Sequence, residues 1–322
     1  MNPPDPSRVD DILRAFLSIL FEGAPYIMVG TLLSGLIDAF LPAKLLERVL
    51  PKNKVLATLA AGFLGLIFPV CECAVVPVVR RLVQKGLPIS CAMTYLLSAP
   101  IINPIVIAST LTAFKEFQNV HGLGDIGNAT MTIGRISLGY FIAVVIGLFL
   151  LRKKPADILL SSVADSITKP DAGGQVLAAP RAFDAKLIHA MRTAMRDFLD
   201  TAMYFTIGIL ITSVFNTQVN QSWIMAVAGH DYLAVPSMMG LAFALALCST
   251  SDAFIAAPMT SFSYAAKLAF LVLGPMLDVK LIFMYSSVFR RKFVISLALA
   301  LFVLVGVLSG PWSWMLKTLF AK

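Results

Sequence analysis

Eight long apolar segments, at about 12–41, 55–78, 88–112, 131–151, 198–215, 236–257, 267–288 and 294–315, take up most of the sequence. Stretches such as 136–151 and 297–308 carry no charge at all. A helix on the surface of a soluble protein keeps one polar face toward water. A run that is apolar all round has no such face and suits a bilayer, whose hydrocarbon core takes about 20 apolar residues per helical crossing. Spans of this length must satisfy their backbone hydrogen bonds internally, which makes them helices. The expected fold class is therefore an all-α polytopic membrane protein. Composition agrees, with 58% hydrophobic and 14% charged residues, where a soluble domain carries about 25% charged. The net charge of +8 needs no nucleic-acid partner, because basic residues collect in the cytoplasmic loops of membrane proteins. The N-terminal stretch 1–14 lacks the basic n-region of a cleaved signal and is expected to be retained.

The longest polar stretch, 152–197, separates a first membrane repeat at 1–151 from a second at 198–322. It is rich in Lys and Arg, contains the turn-forming run at 169–174, and reads as a cytoplasmic linker whose end, about 183–196, forms an amphipathic helix. The flanking halves repeat. Glu22-x3-Tyr26-x3-Gly30 matches Asp200-x3-Tyr204-x3-Gly208, Cys71 matches Cys248, and Ala99-Pro100-x2-Asn103 matches Gly274-Pro275-x2-Asp278, in the same order at nearly constant offset.

Loop charge gives the orientation of the halves. Loop 42–54 holds Lys44, Arg48, Lys52 and Lys54, and loop 79–87 holds Arg80, Arg81 and Lys85, while their counterparts 216–235 and 258–266 hold none. The third loops reverse this, with Lys115 alone in 113–130 against Arg290, Arg291 and Lys292 in 289–293. Such a flip fits inverted repeats. Inversion needs an odd number of crossings per half, so segments 55–78 and 236–257 are expected to enter and return as re-entrant hairpins. Their tips fall at Cys71-Glu72-Cys73 and at Cys248-Ser249-Thr250-Ser251, the first bracketed by the helix breakers Pro69 and Pro77. Two hairpins also collect more loop Lys and Arg on the cytoplasmic side than eight plain crossings do.

Irregular backbone at membrane depth survives only where it is buried in protein or lines a cavity, and transporters place their substrates at such points near the midplane. The two tips supply the candidate residues. Cys71 and Cys73 are two thiols suited to a soft, thiophilic centre. Glu72 lies between them as an acid within an apolar segment, which is costly and points to function. The second tip offers Cys248 as a third soft ligand, Ser249 and its neighbouring hydroxyls, and Asp252 as a proton site. The segments that follow are interrupted too, by Ser98-Ala-Pro-Ile-Ile-Asn-Pro104 with Asn103 and by Gly274-Pro275-x2-Asp278-x-Lys280 with a candidate Asp278–Lys280 pair. Glu22 and Asp200 are expected near helix ends, Tyr26 and Tyr204 as interfacial aromatics, and Asp38, His121, His189 and His230 in interfaces or loops. Cys91 reads as a small buried hydrophobe. All four cysteines lie in apolar segments, which argues against a disulfide framework. There is no GxxxxGK[ST] loop for ATP and no zinc-type C-x-x-C pair, so neither an enzyme nor a bound cofactor is expected.

The run Phe68-Pro-Val-Cys-Glu-Cys-Ala-Val-Val-Pro-Val-Val-Arg-Arg81, then Lys85-Gly-Leu-Pro88, Ser98-Ala-Pro-Ile-Ile-Asn-Pro104 and Leu247-Cys-Ser-Thr-Ser-Asp-Ala-Phe-Ile-Ala-Ala257 resembles the bacterial permease family that includes the ArsP organoarsenical efflux proteins. The resemblance covers both halves. It implies an inner-membrane exporter of trivalent organoarsenicals such as methylarsenite, with Cys71, Cys73 and Cys248 as ligands of the metalloid substrate. Its partners would be that solute and the bilayer, with no nucleic acid and the oligomeric state open. The residues alone leave two other readings, a permease for a different anion or sulfur compound and a membrane dithiol redox protein.

Overall fold

The computed structural model describes residues 6–41, 51–68, 70–121, 126–153, 155–161, 183–218 and 231–320. Pro69, His230, most of the linker with its 169–174 turn, and parts of loops 42–54, 113–130 and 216–235 lie outside the described residues. The described chain is helical, in the order α1 (Pro6–Phe40), α2 (Lys54–Ala61), α3 (Leu64–Ile67), α4 (Glu72–Gln84), α5 (Ile89–Ser98), α6 (Pro104–His121), α7 (Ile126–Phe149), α8 (Pro155–Ile158), α9 (Phe183–Gln218), α10 (Asp231–Leu245), α11 (Asp252–Ala256), α12 (Tyr264–Met276), α13 (Val279–Tyr285) and α14 (Arg291–Phe320). Among the described residues, five spans are long and apolar enough to cross a membrane: Val9–Phe40, Ala129–Arg152, Phe183–Phe215, Tyr264–Tyr285 and Arg291–Leu316.

The apolar segments at 55–78 and 236–257 are both broken, the second at its expected tip and the first just ahead of it, since Glu72, Cys73 and the expected breaker Pro77 already lie inside the following helix. The first breaks between α3 and α4, and the second between α10 and α11. Asn53 starts α2 by accepting a hydrogen bond from Val55 N at 3.0 Å. From there α2 and α3 together reach roughly 21 Å, and α4 roughly 20 Å, at about 1.5 Å per residue. Neither limb spans a hydrocarbon core of about 30 Å. In the second break Ala246 has φ 47°, a left-handed conformation that costs a residue with a Cβ roughly 1–2 kcal/mol. Segment 88–112, expected as a crossing, is two helices, because the Ala99–Asn103 turn with Pro100 and Pro104 stops α5 before α6 begins.

Packing sorts the helices by depth. Every residue of α5 is buried, and 89% of the best apolar window of Tyr264–Tyr285 is buried against 17% of that of Val9–Phe40. Thus α5 and α12 form the interior while α1 and α14 turn broad apolar faces outward. The sequence-equivalent helices α1 and α9 run antiparallel, since Gly23 receives the Phe205 ring while Gly35 lies under the Ala190 carbonyl. A Cβ at either glycine would collide with those groups, so the close approach depends on glycine. Helices α7 and α14 also run antiparallel: Trp312 donates to Ser137 Oγ at 2.9 Å, and Leu316 reaches Gly134.

Two contacts fix which ends of the elements lie together. Lys85, just past α4, donates to the Asp38 carbonyl at the end of α1, 2.7 Å away. Leu159 bridges to Phe289, and Arg290 N donates to Ile158 O at 2.9 Å, so the start of the linker lies beside the end of α13. The expected helix before the fifth apolar segment is present and continuous with it in α9, so position 197/198 falls inside a helix. Glu22 and Asp200 depart from expectation. They sit mid-helix in α1 and α9, because those helices extend well beyond the apolar core of each segment.

Candidate functional site

The first break delivers Cys71 as the N-cap residue of α4, with Glu72 and Cys73 in its first turn. All three are buried, Glu72 to 1% exposure. The second break delivers Cys248 and Ser249, and Cys248 O accepts from the backbone N–H of Ser251 and of Asp252, each at 3.0 Å. The two breaks meet. Ser249 Oγ donates to Glu72 Oε2 at 2.9 Å across the two halves. Cys71, Glu72, Cys73, Ala246, Cys248 and Lys280 line one cleft with Glu22, Gly23, Tyr26, Ile19 and Phe205 of α1 and α9. The cleft encloses about 290 Å³ with its open mouth included. Tyr26 is therefore a lining residue as well as an outward-facing aromatic.

Lys280 is the cation of this site. Its ammonium donates to Glu72 Oε1 at 3.3 Å, Ala246 O at 2.9 Å and Leu247 O at 3.4 Å. It also stands 3.5 Å from Asp278 Oδ2, as the spacing Asp278-x-Lys280 anticipated. Asp278 is fully buried and starts α13 by accepting from Leu281 N through Oδ1 at 2.6 Å. Its Oδ2 has no hydrogen-bond partner. Gly208 of α9 packs so closely that a Cβ there would lie 2.7 Å from Lys280 Cα.

Asp252 belongs to a second buried cluster, whose side chains are not among those lining the cleft. Arg135 of α7 grips it with both guanidinium ends, Nη1 to Oδ1 at 3.0 Å and Nη2 to Oδ2 at 2.6 Å. Arg135 also donates to Thr110 Oγ1 at 2.7 Å and to Ser249 O at 3.1 Å. This pairing was missed in the sequence. Its signal was Arg135 itself, a cation inside an apolar span whose burial demands a partner. Asn103 lies apart from the cleft, accepting from Ile105 N at the start of α6 and donating to Val70 O at 3.4 Å. Among the described residues no three His, Cys, Asp or Glu side chains are close enough to share one metal ion.

A third polar cluster joins α1, α4 and α9 about eight residues along each helix from the cleft, roughly 12 Å by helical rise. Arg81 grips Asp197 at 2.7 and 2.9 Å. Ser34 donates to Asp197 at 2.7 Å, and Asp38 meets Lys85 at 3.3 Å and His189 at 3.1 Å. Asp38 and His189 are thus paired helical residues tying three helices together, and not loop positions.

A family profile described as a predicted permease, ArsP_1, matches residues 8–310. The chain is 36% identical over 296 residues to the "UPF0718 protein YcgR" of Bacillus subtilis, covering 92% of this chain and 94% of that one. It is 34% identical over 291 residues to the "Putative two-component membrane permease complex subunit" of Streptococcus mutans, covering 90% and 91%. It is 24% identical over 139 residues to "UPF0718 protein MJ0584" of Methanocaldococcus jannaschii, covering 43% and 37%. No solved structure matches. A profile match over nearly the whole length, with relatives above one-third identity over nine-tenths of it, assigns the chain to this predicted permease family.

Proposed function

We propose that the chain is a multi-pass permease of the bacterial inner membrane that exports a soft, thiol-reactive solute, trivalent organoarsenicals such as methylarsenite, by alternating access at the cleft between the two chain breaks. The observation that carries this reading is the meeting of Cys71, Cys73 and Cys248, contributed by both halves, at one cleft whose wall is closed by the Ser249–Glu72 hydrogen bond. Methylarsenite has two exchangeable oxygens, so the Cys71–Cys73 pair suffices to hold it. Two thiols lose their protons, two As–S bonds form, and two waters leave. Cys248 faces the same space and supplies the thiol for handing the solute over.

The reading includes inverted repeats with one re-entrant hairpin each. Two ends-together contacts support it. Lys85 reaches the end of α1 although segment 55–78 lies between them, which suits a segment that returns to its own side. The linker start touches the end of α13 although three apolar segments intervene, which an odd number of full crossings would forbid. The antiparallel α1–α9 and α7–α14 pairs support inversion. By its similarity to the streptococcal permease subunit, the chain is also proposed to act with a second membrane component.

Uptake of methylarsenite by everted vesicles tests the substrate. Wild-type protein is expected to accumulate it, and the triple variant Cys71→Ser, Cys73→Ser, Cys248→Ser is not. Equal uptake by both sinks the thiol site. Topology is tested by labelling single cysteines from outside in a cysteine-free background. Position 261 should label and position 52 should be protected; the opposite pattern means eight plain crossings. The placement of Cys71 and Cys73, two residues apart on one wall of the cleft, also favours a dithiol redox reading. That reading predicts no solute uptake but reversible disulfide formation between these two residues.

A further inference from the structure

We infer that Asp278 carries the proton whose exchange drives this permease, with Lys280 as the element that converts its loss into movement of the two chain breaks. The inference rests on the permease reading above and deepens it.

The argument begins with charge. Glu72, Asp278 and Lys280 lie together at 1%, 0% and 3% exposure. Two carboxylates share one ammonium, so the group carries one negative charge too many if both acids are ionised. An uncompensated buried charge costs several kcal/mol, and in practice the group takes up a proton instead. The neighbouring Arg135–Asp252 pair offers no relief, because its fork is closed and its charges already cancel.

Hydrogen bonds then select the acid. Glu72 has both oxygens engaged, Oε1 by Lys280 and Oε2 by Ser249. Asp252 has both oxygens in the Arg135 fork. Asp278 alone of the three has a free oxygen, Oδ2, buried with no hydrogen-bond partner and 3.5 Å from Lys280. The titratable groups facing it are Lys280 and Tyr285 on α13 and Glu72 on α4. Helix α9 brings Gly208 against Lys280, and Tyr285 is occupied in donating to Met276 O at 2.9 Å.

The coupling follows from what Lys280 holds. With Oδ2 protonated, the ammonium is available to Glu72 and to the Ala246 and Leu247 carbonyls, which keeps the two breaks together. When the Oδ2–H bond breaks, the proton leaves toward the cleft past Glu72, which lines it while Asp278 does not, and the new carboxylate competes for Lys280. The ammonium is drawn back along α13, the carbonyls at 246 and 247 lose their donor, and the breaks are free to part.

Two measurements on reconstituted full-length protein test this. In infrared difference spectra across a pH titration, wild type should show the carbonyl band of a protonated carboxylic acid. The band should be lost in Asp278→Asn and kept, at unchanged frequency, in Glu72→Asp and Asp252→Glu, which leave the charge of each cluster as it is; a band that shifts in Glu72→Asp would place the proton there and overturn the inference. Asparagine still offers Oδ1 to Leu281 N, so α13 keeps its start. No band in wild type, or a band that survives in Asp278→Asn, overturns the inference whether or not any solute moves. In proteoliposomes, one pH unit should drive about tenfold accumulation of methylarsenite for one-to-one exchange. Asp278→Asn should hold that ratio at one while retaining counterflow exchange. Accumulation by Asp278→Asn equal to wild type overturns the inference. Absence of any wild-type transport counts against the substrate reading and leaves the infrared result to decide the proton site.

Discussion

Two ion clusters lie within one residue of each other and differ in almost everything but burial. The Arg135–Asp252 pair is a closed fork, neutral as a unit, with Thr110 and the Ser249 carbonyl filling further donor positions of the guanidinium. The Glu72–Lys280–Asp278 group has an odd number of charges, spreads one ammonium over two carboxylates and two carbonyls, and borders the cleft. Ser249 joins them, giving its hydroxyl to one and its carbonyl to the other. Guanidinium suits the first because its planar fork matches a carboxylate in one fixed geometry. Ammonium suits the second because a compact charge on a flexible stem can change partners. On the proposed coupling, Arg135 serves where two helices stay together and Lys280 where contacts are exchanged.

The largest test of this division is Arg135→Met. Removing the cation strands Asp252 in a sealed site, and a loss of about 3–5 kcal/mol is expected, read as a large drop in folded yield and thermal stability in detergent. The double variant Arg135→Met, Asp252→Leu should recover most of it; a double variant as poor as the single one would mean that the pair does more than hold helices. Lys280→Met should cost less, about 1–3 kcal/mol for the orphaned acceptors, because water and protons from the cleft can reach Glu72. Vesicle transport should nevertheless stop. If Lys280→Met is instead the less stable of the two variants, the clusters have been assigned the wrong way round.

Gly208→Ala separates the clusters without touching a charge. Its Cβ would press on Lys280 Cα, and displacing α13 should cost about 2 kcal/mol and impair transport with the Arg135 pair intact. Gly240→Ala, with nothing within 4 Å of the new Cβ, is the control and should be neutral or better in both measurements. The smallest effect is expected from Arg80→Ala. Arg80 pairs with a half-exposed Asp200, and such pairs contribute about 0–1 kcal/mol. A loss approaching that of Arg135→Met would show the Arg80–Asp200 pair to be as structural as the Arg135–Asp252 pair.

The features readable in the sequence were those written in one stretch of chain. Apolar length located the helices, proline and cysteine marked the breaks near 69–71 and 246–251, and the spacing Asp278-x-Lys280 anticipated an ion pair that forms. Pairings across the repeats were harder. The sequence offered Asp252 as a free proton site because Arg135 lies 117 positions away, and no local spacing connects them. The mid-helix positions of Glu22 and Asp200 were missed for a related reason. Polar residues flank each apolar segment, yet α1 and α9 continue through them, held by the Arg81–Asp197 and Lys85–Asp38 contacts that only the folded chain brings together.

The Glu72–Lys280 contact has a consequence for how the protein is made. Its partners are 208 residues apart, and synthesis at roughly 5–20 residues per second separates their appearance by roughly 10–40 s. For that interval the first half holds Glu72 in an apolar segment with no cation to meet it. A nascent first repeat must therefore keep Glu72 beside water until the last quarter of the chain arrives. The final fit of the two halves is a late event in biogenesis, and chains truncated before Lys280 should be the ones that quality-control proteases find.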